Sequence, residues 1–365
     1  MWPTAPLEFA AAFSAVTALI YLLGPVARRI GLLDHPGGRK DHRDPTPVTG
    51  GLAIAVGTII PAILLTEPTP PLVGLGLGAV ILIVVGIFDD LHDLRWSWRI
   101  LAQIAAALAL VYVGGVKVEQ IGLVLGLANM DLGYLSAPFT VLATVGLINA
   151  LNMVDGLDGL AGSLALCAIL MLIAAGLYSG NTELVNGLVA MSGAVAAFLM
   201  FNLRFPWRPR ARVFLGNSGS AYLGLVMAWA SFRLTQNAHH PVSPVLAPFL
   251  IAPPVIDCLV LIVRRALHRR SPFAADRTHV HHLLLDAGFP VTGVVAILCG
   301  VSLAMGSMAA LALWADVPQP LFIIVYLGLL VSYFAVSRQP EKASHWIGKV
   351  TGRRKDAAPK PLVAE

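Results

Sequence analysis

The chain has 365 residues, of which 57% are hydrophobic and only 12% charged, at a mean hydropathy of +0.77. A soluble domain carries about 25% charged residues, so this composition excludes one and indicates an integral membrane protein. The net charge of +5 reflects the sidedness described below, and no nucleic-acid partner is expected.

Apolar runs of about 20 residues recur along the chain, each long enough to cross a hydrocarbon core of about 30 Å. They predict an all-α polytopic membrane protein with about eleven transmembrane helices, centred near residues 17, 57, 80, 106, 142, 170, 193, 224, 254, 302 and 328. Barrel strands would give only a weak alternation of apolar and polar residues. The first run lacks a basic n-region and reads as a retained span rather than a cleavable signal. Cys167, Cys258 and Cys299 lie in apolar runs without metal-ligand spacing and read as small core residues. Residues 1–338 are expected to form a single polytopic transmembrane domain, and 339–365 a cytoplasmic tail whose charge and proline content predict disorder.

With eleven spans, alternate connections share a side, and the set 28–47, 89–99, 203–213, 264–277 and the tail from 338 holds 23 of the 25 basic residues. Lys117 and Arg233 are the two exceptions. The positive-inside rule places those connections and the C-terminus in the cytoplasm, and the N-terminus outside. The unusual polar residues gather in the same inner connections, apart from Asp257 near the inner end of its span. A binding or catalytic surface on the cytoplasmic side follows.

The first inner loop, "GGRKDHRDPTPVTGGLAI", sets Arg39, Lys40, His42 and Arg43 before a helix opened by Gly50 and Gly51. Cations beside such a helix start suit an anion such as phosphate, although basic residues flanking a span also serve as topology anchors. In "GIFDDLHDLRWSWRILAQ", Asp89, Asp90 and Asp93 follow an apolar run directly. Adjacent carboxylates raise each other's pKa unless a cation lies between them, so they require a metal, a proton or an arginine such as Arg95 or Arg99. "NALNMVDGLDGLAGS" places Asp155 and Asp158 between two apolar runs. Helix capping explains one of them, and a charged Asp at the centre of a lipid-facing helix costs about 2.5 to 3.5 kcal/mol, so both belong at a polar surface or on a ligand. The last and richest loop, "RRALHRRSPFAADRTHVHHLLLDAGF", carries His279, His281 and His282 with Arg269, Arg270, Asp276 and Arg277. A helical reading puts His279 and His282 on one face and His281 off it. Imidazoles among arginines suit a diphosphate or a hydroxyl-rich group; zinc and a solvated lipid-anchoring loop are the alternatives. Carboxylate and amide oxygens on several loops favour magnesium, which shares its shell with substrate phosphates.

These residues resemble the polyprenyl-phosphate N-acetylhexosamine-1-phosphate transferases. Five motifs stand in family order over residues 5 to about 338: "KDHRDPTPVTGG", "DDLHDLRWSWRILAQ", "NALNMVDGLDGLAGS", "RVFLGNSGSAYLG" and "SPFAADRTHVHHLLLDAGF". The His-x-His-His of the last resembles the lipid-linked N-acetylglucosamine branch more than the muramoyl-pentapeptide branch. The resemblance implies transfer of a sugar 1-phosphate from a UDP-N-acetylhexosamine to undecaprenyl phosphate, with release of UMP. It implies that Asp89 and Asp90, with Asp155 and Asp158, are the catalytic acids. Magnesium, or manganese in its place, is implied to sit on Asn152, Asp155 and Asn217. Lys40, His42, Arg99, Asn149, Arg277, His279, His281 and His282 are implied to bind the substrates. The bilayer is the remaining partner, and the family leaves room for a homodimer.

Two positions depart from the family. Its fourth motif reads Gly-Asp-x-Gly-Ser, whereas this chain has Asn217 in place of that magnesium-binding aspartate. An amide oxygen coordinates without charge, so weaker metal binding is expected, with a catalytically weakened homologue as the rival. Ser97 stands where some relatives carry lysine, which leaves Arg99 as the cation of that helix. A transporter would instead place ionisable groups near the midplane of two similar halves. A CDP-alcohol phosphotransferase would follow its first Asp-Gly with Ala-Arg. A scaffold would leave the polar loops dispensable.

Overall fold

A computed structural model describes residues 5–34, 45–65, 67–123, 130–236, 242–269, 271 and 278–353. The described residues are mostly helical, with one two-stranded antiparallel pair among them, β1 (Leu33–Asp34) and β2 (Thr46–Pro47). Each predicted apolar centre falls in a helix. In order these are α1 (Ala5–Ile30), α2 (Gly50–Leu65), α3 (Pro70–His92), α4 (Trp96–Leu108), α5 (Ser136–Val154), α6 (Leu160–Tyr178) and α7 (Thr182–Asn202). There follow α8 (Gly216–Thr235), the short α9 (Ala247–Leu250), α10 (Ala252–Leu267), α11 (Val280–Asp286), α12 (Val291–Trp314), α13 (Gln319–Ser337) and α14 (Pro340–Val350).

The count of eleven spans is not what the described residues give. Eight helices are long and apolar enough to cross a bilayer, or nine if the segment through α9 and α10, bent by 85°, is one span. The difference has two physical sources. The apolar part of α2, Gly50–Ala62, is short for a span. α8 is long, but its glycine, serine and asparagine residues keep it from reading as a lipid-facing span, and every residue from Ser218 to Phe232 is buried. It is a helix solvated by protein rather than by lipid.

Small residues allow this burial. A Cβ on Gly51 of α2 would lie 2.1 Å from the Cα of Gly219, and one on Gly86 of α3 would lie 2.4 Å from the Cα of Ser218. Backbones of α2 and α3 therefore rest on the first turns of α8, the close approach that glycine permits between membrane helices.

The expected tail is also revised. Residues 340–350 form α14, which packs its Ser344 and Gly348 face on the α11 segment, because alternating buried and charged positions give it an amphipathic stripe. The rest of the predicted tail, from 354 on, lies outside the described residues. At the end of the bundle remote from the acidic motifs, the two exceptional cations are paired, Lys117 with Glu119 at 3.0 Å and Arg233 with Glu183 at 3.2 Å.

Candidate active site

The helix ends that carry the motifs meet around one cavity of about 290 Å³. Its wall takes Asp89 from α3, Arg99 and Gln103 from α4, Asn149 and Asn152 from α5, and Asn217 from α8. His279, His281 and His282 at the head of α11 complete it, with Arg265 of α10. Four of the five motifs thus supply side chains to a single space.

Successive residues on a helix point about 100° apart, so the paired aspartates at the end of α3 have different partners. Asp89 is buried; it accepts from the Leu94 amide at 2.8 Å and from Arg99 Nη1 at 3.5 Å. The left-handed backbone of Asp93 (φ 49°) turns the chain so that Leu94 reaches it. Asp90 turns to the N-terminus of α8, accepting from the Asn217 amide at 2.9 Å and from the Ser218 amide and hydroxyl at 3.5 and 3.4 Å. It caps a helix from outside that helix, supplying the acceptor that the free amides of a helix start require.

The third motif divides in the same way. Asn149 donates to Gln103 Oε1 at 2.6 Å, and Asn152 donates to Asn217 Oδ1 and Ser220 Oγ, both at 2.9 Å. Asp158 is tied to Arg204 Nε at 2.7 Å and accepts from the Ala211 amide at 3.3 Å, so it anchors the 203–213 connection. Asp155 differs from the other acids. Among the described residues no hydrogen bond or ion pair reaches its carboxylate, and burial, then the charges of Asp90 and Asp158, push its pKa up to about 7.

The histidines do not follow the predicted helical face. His279 precedes α11 in an extended conformation (φ −64°, ψ 152°), which frees its ring to join the others. Its ring stacks on that of His281 at 5.3 Å between centroids, and the His281 and His282 rings are 4.3 Å apart. His281 is 1% exposed, and burial, more than its two histidine neighbours, lowers its pKa to about 3, so it is neutral at physiological pH. It packs on the Asp-Gly turn of the third motif: a Cβ on Gly156 would lie 2.8 Å from His281 Nε2. Gly156→Ala is therefore expected to displace the His281 ring and lower turnover by roughly tenfold, the scale of an active-site misplacement somewhat under 1 Å. Steady-state rates beside an unchanged melting temperature check this.

One sequence expectation fails. The amides of Gly50 and Gly51 at the start of α2 donate to the carbonyls of Phe214 and Leu215, both at 3.0 Å, so this helix start is spent on the chain itself and does not cradle an anion. Lys40, His42 and Arg277 lie outside the described residues, as do Arg39, Arg43, Arg270 and Asp276. Two cavity residues escaped the sequence reading. Gln103 stands one turn from Arg99 on α4, a polar residue in an apolar stretch and so a legible signal. Arg265 was counted only as a basic residue flanking a span, and nothing in that pattern distinguishes it.

Among the described residues no group of three or more His, Cys, Asp or Glu side chains is arranged to hold a metal ion. Magnesium requires less, since it is bound through one or two carboxylates and completes its shell with water and substrate phosphates. A carboxylate crowded by two others and bonded to none of the described residues fits such a hard cation in donor chemistry, as do the paired amides of Asn152 and Asn217.

The architecture is that of a multi-pass membrane protein with a polar cavity where its motif-bearing helix ends meet. Residues 72–235 match glycosyl transferase family 4. Undecaprenyl-phosphate alpha-N-acetylglucosaminyl 1-phosphate transferases are similar over nearly the whole chain: that of Shigella flexneri is 30% identical over 352 residues, covering 96% of this chain and 95% of its own. The protein of the same name from Salmonella typhi is 30% identical over 354 residues, with the same two coverages. That from Yersinia pestis is 35% identical over 274 residues, 74% of each chain. The chain belongs to this family of membrane transferases, as its motifs led us to expect.

Proposed function

We propose that the protein transfers N-acetylglucosamine 1-phosphate, or a close N-acetylhexosamine 1-phosphate, from its UDP-sugar to undecaprenyl phosphate at the cytoplasmic face of the inner membrane. A phosphate oxygen of the lipid attacks the β-phosphorus of the UDP-sugar. The bond from that phosphorus to the oxygen bridging to the α-phosphate breaks, and UMP leaves with the bond electrons. The product is a lipid diphosphate sugar, the first intermediate of a cell-envelope glycan. The observation that carries this reading is the convergence of four separated motifs on one cavity, with the acid Asp89 on α3, amides on α4, α5 and α8, and imidazoles and cations on α4, α10 and α11.

The chain's own groups divide the work. Asp89, held by Arg99, and the turn at Asp155 supply negative charge that orients a cation. The histidines and Arg265 face the anionic diphosphate, and Gln103 and Asn149 form a hydrogen-bonded pair suited to a sugar or base. Magnesium, or manganese, held by Asp155 with Asn152 and Asn217, supplies charge neutralisation for the diphosphate when bound. The same orientation puts the N-terminus outside and the C-terminus in the cytoplasm.

Purified protein given UDP-N-acetylglucosamine, undecaprenyl phosphate and magnesium is expected to release UMP only when the lipid is present. UMP release indifferent to the lipid, or none with any member of a panel of UDP-N-acetylhexosamines, would sink the reading. The family's acid is absent at position 217, where the side-chain oxygen instead accepts from Asn152. Asn217→Asp adds a charge to the cavity wall and is expected to lower the magnesium concentration for half-maximal rate about tenfold, equivalent to about 1.4 kcal/mol. A metal requirement that does not move would remove position 217 from the metal's surroundings.

A further inference from the structure

Asp257 belongs to none of the five motifs, yet it is 2% exposed inside α10, where an ionised carboxylate persists only if its oxygens are well bonded. Three donors from two other segments meet it. His279 Nδ1 lies 2.7 Å from Oδ2, the Val280 amide donates to Oδ1 at 3.0 Å, and the Tyr333 hydroxyl of α13 donates to Oδ1 at 2.5 Å. The Val280 contact fixes the backbone at the head of α11, and the Nδ1 contact fixes the ring one residue earlier. With Nδ1 engaged, Nε2 is the remaining polar atom of His279, a ring that lines the cavity, and no other hydrogen bond is made to it among the described residues. Because the His279 ring lies within 15° of parallel to that of His281, an orientation imposed on one ring is passed to the next.

We propose that Asp257, completed by Tyr333, is a positioning residue for the transfer reaction: it holds His279 through Nδ1 so that Nε2 is presented to an oxygen of the nucleotide diphosphate. This rests on the reading of the cavity as a UDP-sugar site. A carboxylate on Nδ1–H selects the orientation of an imidazole and so fixes where its Nε2 points. Without the carboxylate the ring is free to turn, and its near-parallel stack on His281 is lost. Asp257 itself never touches the substrate, so its whole effect on turnover passes through His279.

That routing is what the experiment measures. Asp257→Asn, His279→Ala and the double variant are purified and compared for kcat and KM with UDP-N-acetylglucosamine. Asp257→Asn is expected to lower kcat roughly 10- to 100-fold, as the loss of a partner behind a functional histidine does elsewhere, with KM changed less than about threefold. The double variant is expected to be no slower than His279→Ala alone, because residues that act as one unit are not additive. Tyr333→Phe removes a single hydroxyl and is expected to cost about threefold with its melting temperature nearly unchanged; it replaces Asp257→Asn in the same cycle if that variant is not recovered folded. Multiplicative losses in the double variant, or an Asp257→Asn protein as fast as the parent, overturn the inference while leaving the transferase reading intact. A parent protein that releases no lipid-dependent UMP overturns both.

Discussion

Asp155→Asn is expected to lower lipid-dependent UMP release by about a thousandfold while leaving the protein at least as stable as before. Several kcal/mol of electrostatic stabilisation separate a charge-neutralised diphosphate from a bare one, and about 4 kcal/mol corresponds to that factor in rate. The substitution is nearly isosteric, and the backbone contact from the Asp155 amide to the Asn152 carbonyl does not involve the side chain. The stability half of the prediction follows from linkage. Burial and the charges of Asp90 and Asp158 raise the folded pKa from 3.8 to about 7, so between those values the folded state keeps a proton that the unfolded state has lost. The stabilising contribution of the protonated acid is complete below about pH 4 and is lost as the pH rises through about 7. In chelator at pH 8, Asn at position 155 therefore removes a repulsion, and its melting temperature should exceed the parent's. At pH 5 the difference should shrink, because Asp155 is then protonated in the parent. A variant that lost activity and stability together at pH 8 would make Asp155 a structural acid. Gain of stability with loss of turnover is the signature of a group held in place for function.

Much of this arrangement was legible in the sequence, because hydropathy and sidedness are one-dimensional properties. The helical character of every apolar run, the clustering of polar residues on one face and the membership of Asp89, Asn149, Asn152 and the histidines in one cavity were all readable from runs and motifs. What escaped depends on contacts across the chain. Hydropathy measures apolarity rather than burial, so the run centred near 224 counts as a span although α8 is ringed by protein. The 85° bend between α9 and α10 lies at an Ala-Pro-Pro sequence, a punctuation signal that an apolar average erases. Asp158 was grouped with Asp155 because the two stand three residues apart, yet Arg204, 46 residues on, claims one and leaves the other without a partner. The triplet of histidines was read on a helical wheel, although the wheel begins only at Val280 and His279 answers instead to a carboxylate on α10. In each case the residue type was informative and the pairing was not, since a pairing is a property of the fold.

Asp90 carries the second large expectation, and here stability and activity should fall together. Its oxygens satisfy amides at the start of α8, the helix on which α2, α3 and α5 pack and from which Asn217 reaches the cavity. Asp90→Ala leaves those donors without an acceptor in a half-buried region, a loss of about 1 to 3 kcal/mol for an unmet group in addition to about 1 for the missing cap. The first turn of α8 should loosen, taking Asn217 and its bond to Asn152 with it, and turnover should fall more than a hundredfold. Asp90→Asn separates the two roles of the side chain. Its amide oxygen still accepts from the Asn217 amide, so most of the melting temperature should return, while the charge opposite the helix N-terminus, worth about 0.3 to 1 kcal/mol when exposed and up to about 2 when partly buried, is gone. If capping is the main work of Asp90, Asn at position 90 recovers activity to within about tenfold of the parent. If the charge also serves the transferred phosphate, stability recovers and turnover does not. Melting curves and UMP release measured on the same two variants decide between these outcomes. A protein with Ala at position 90 that melts like the parent would show that the α8 start is held by its glycine contacts with α2 and α3 rather than by this carboxylate.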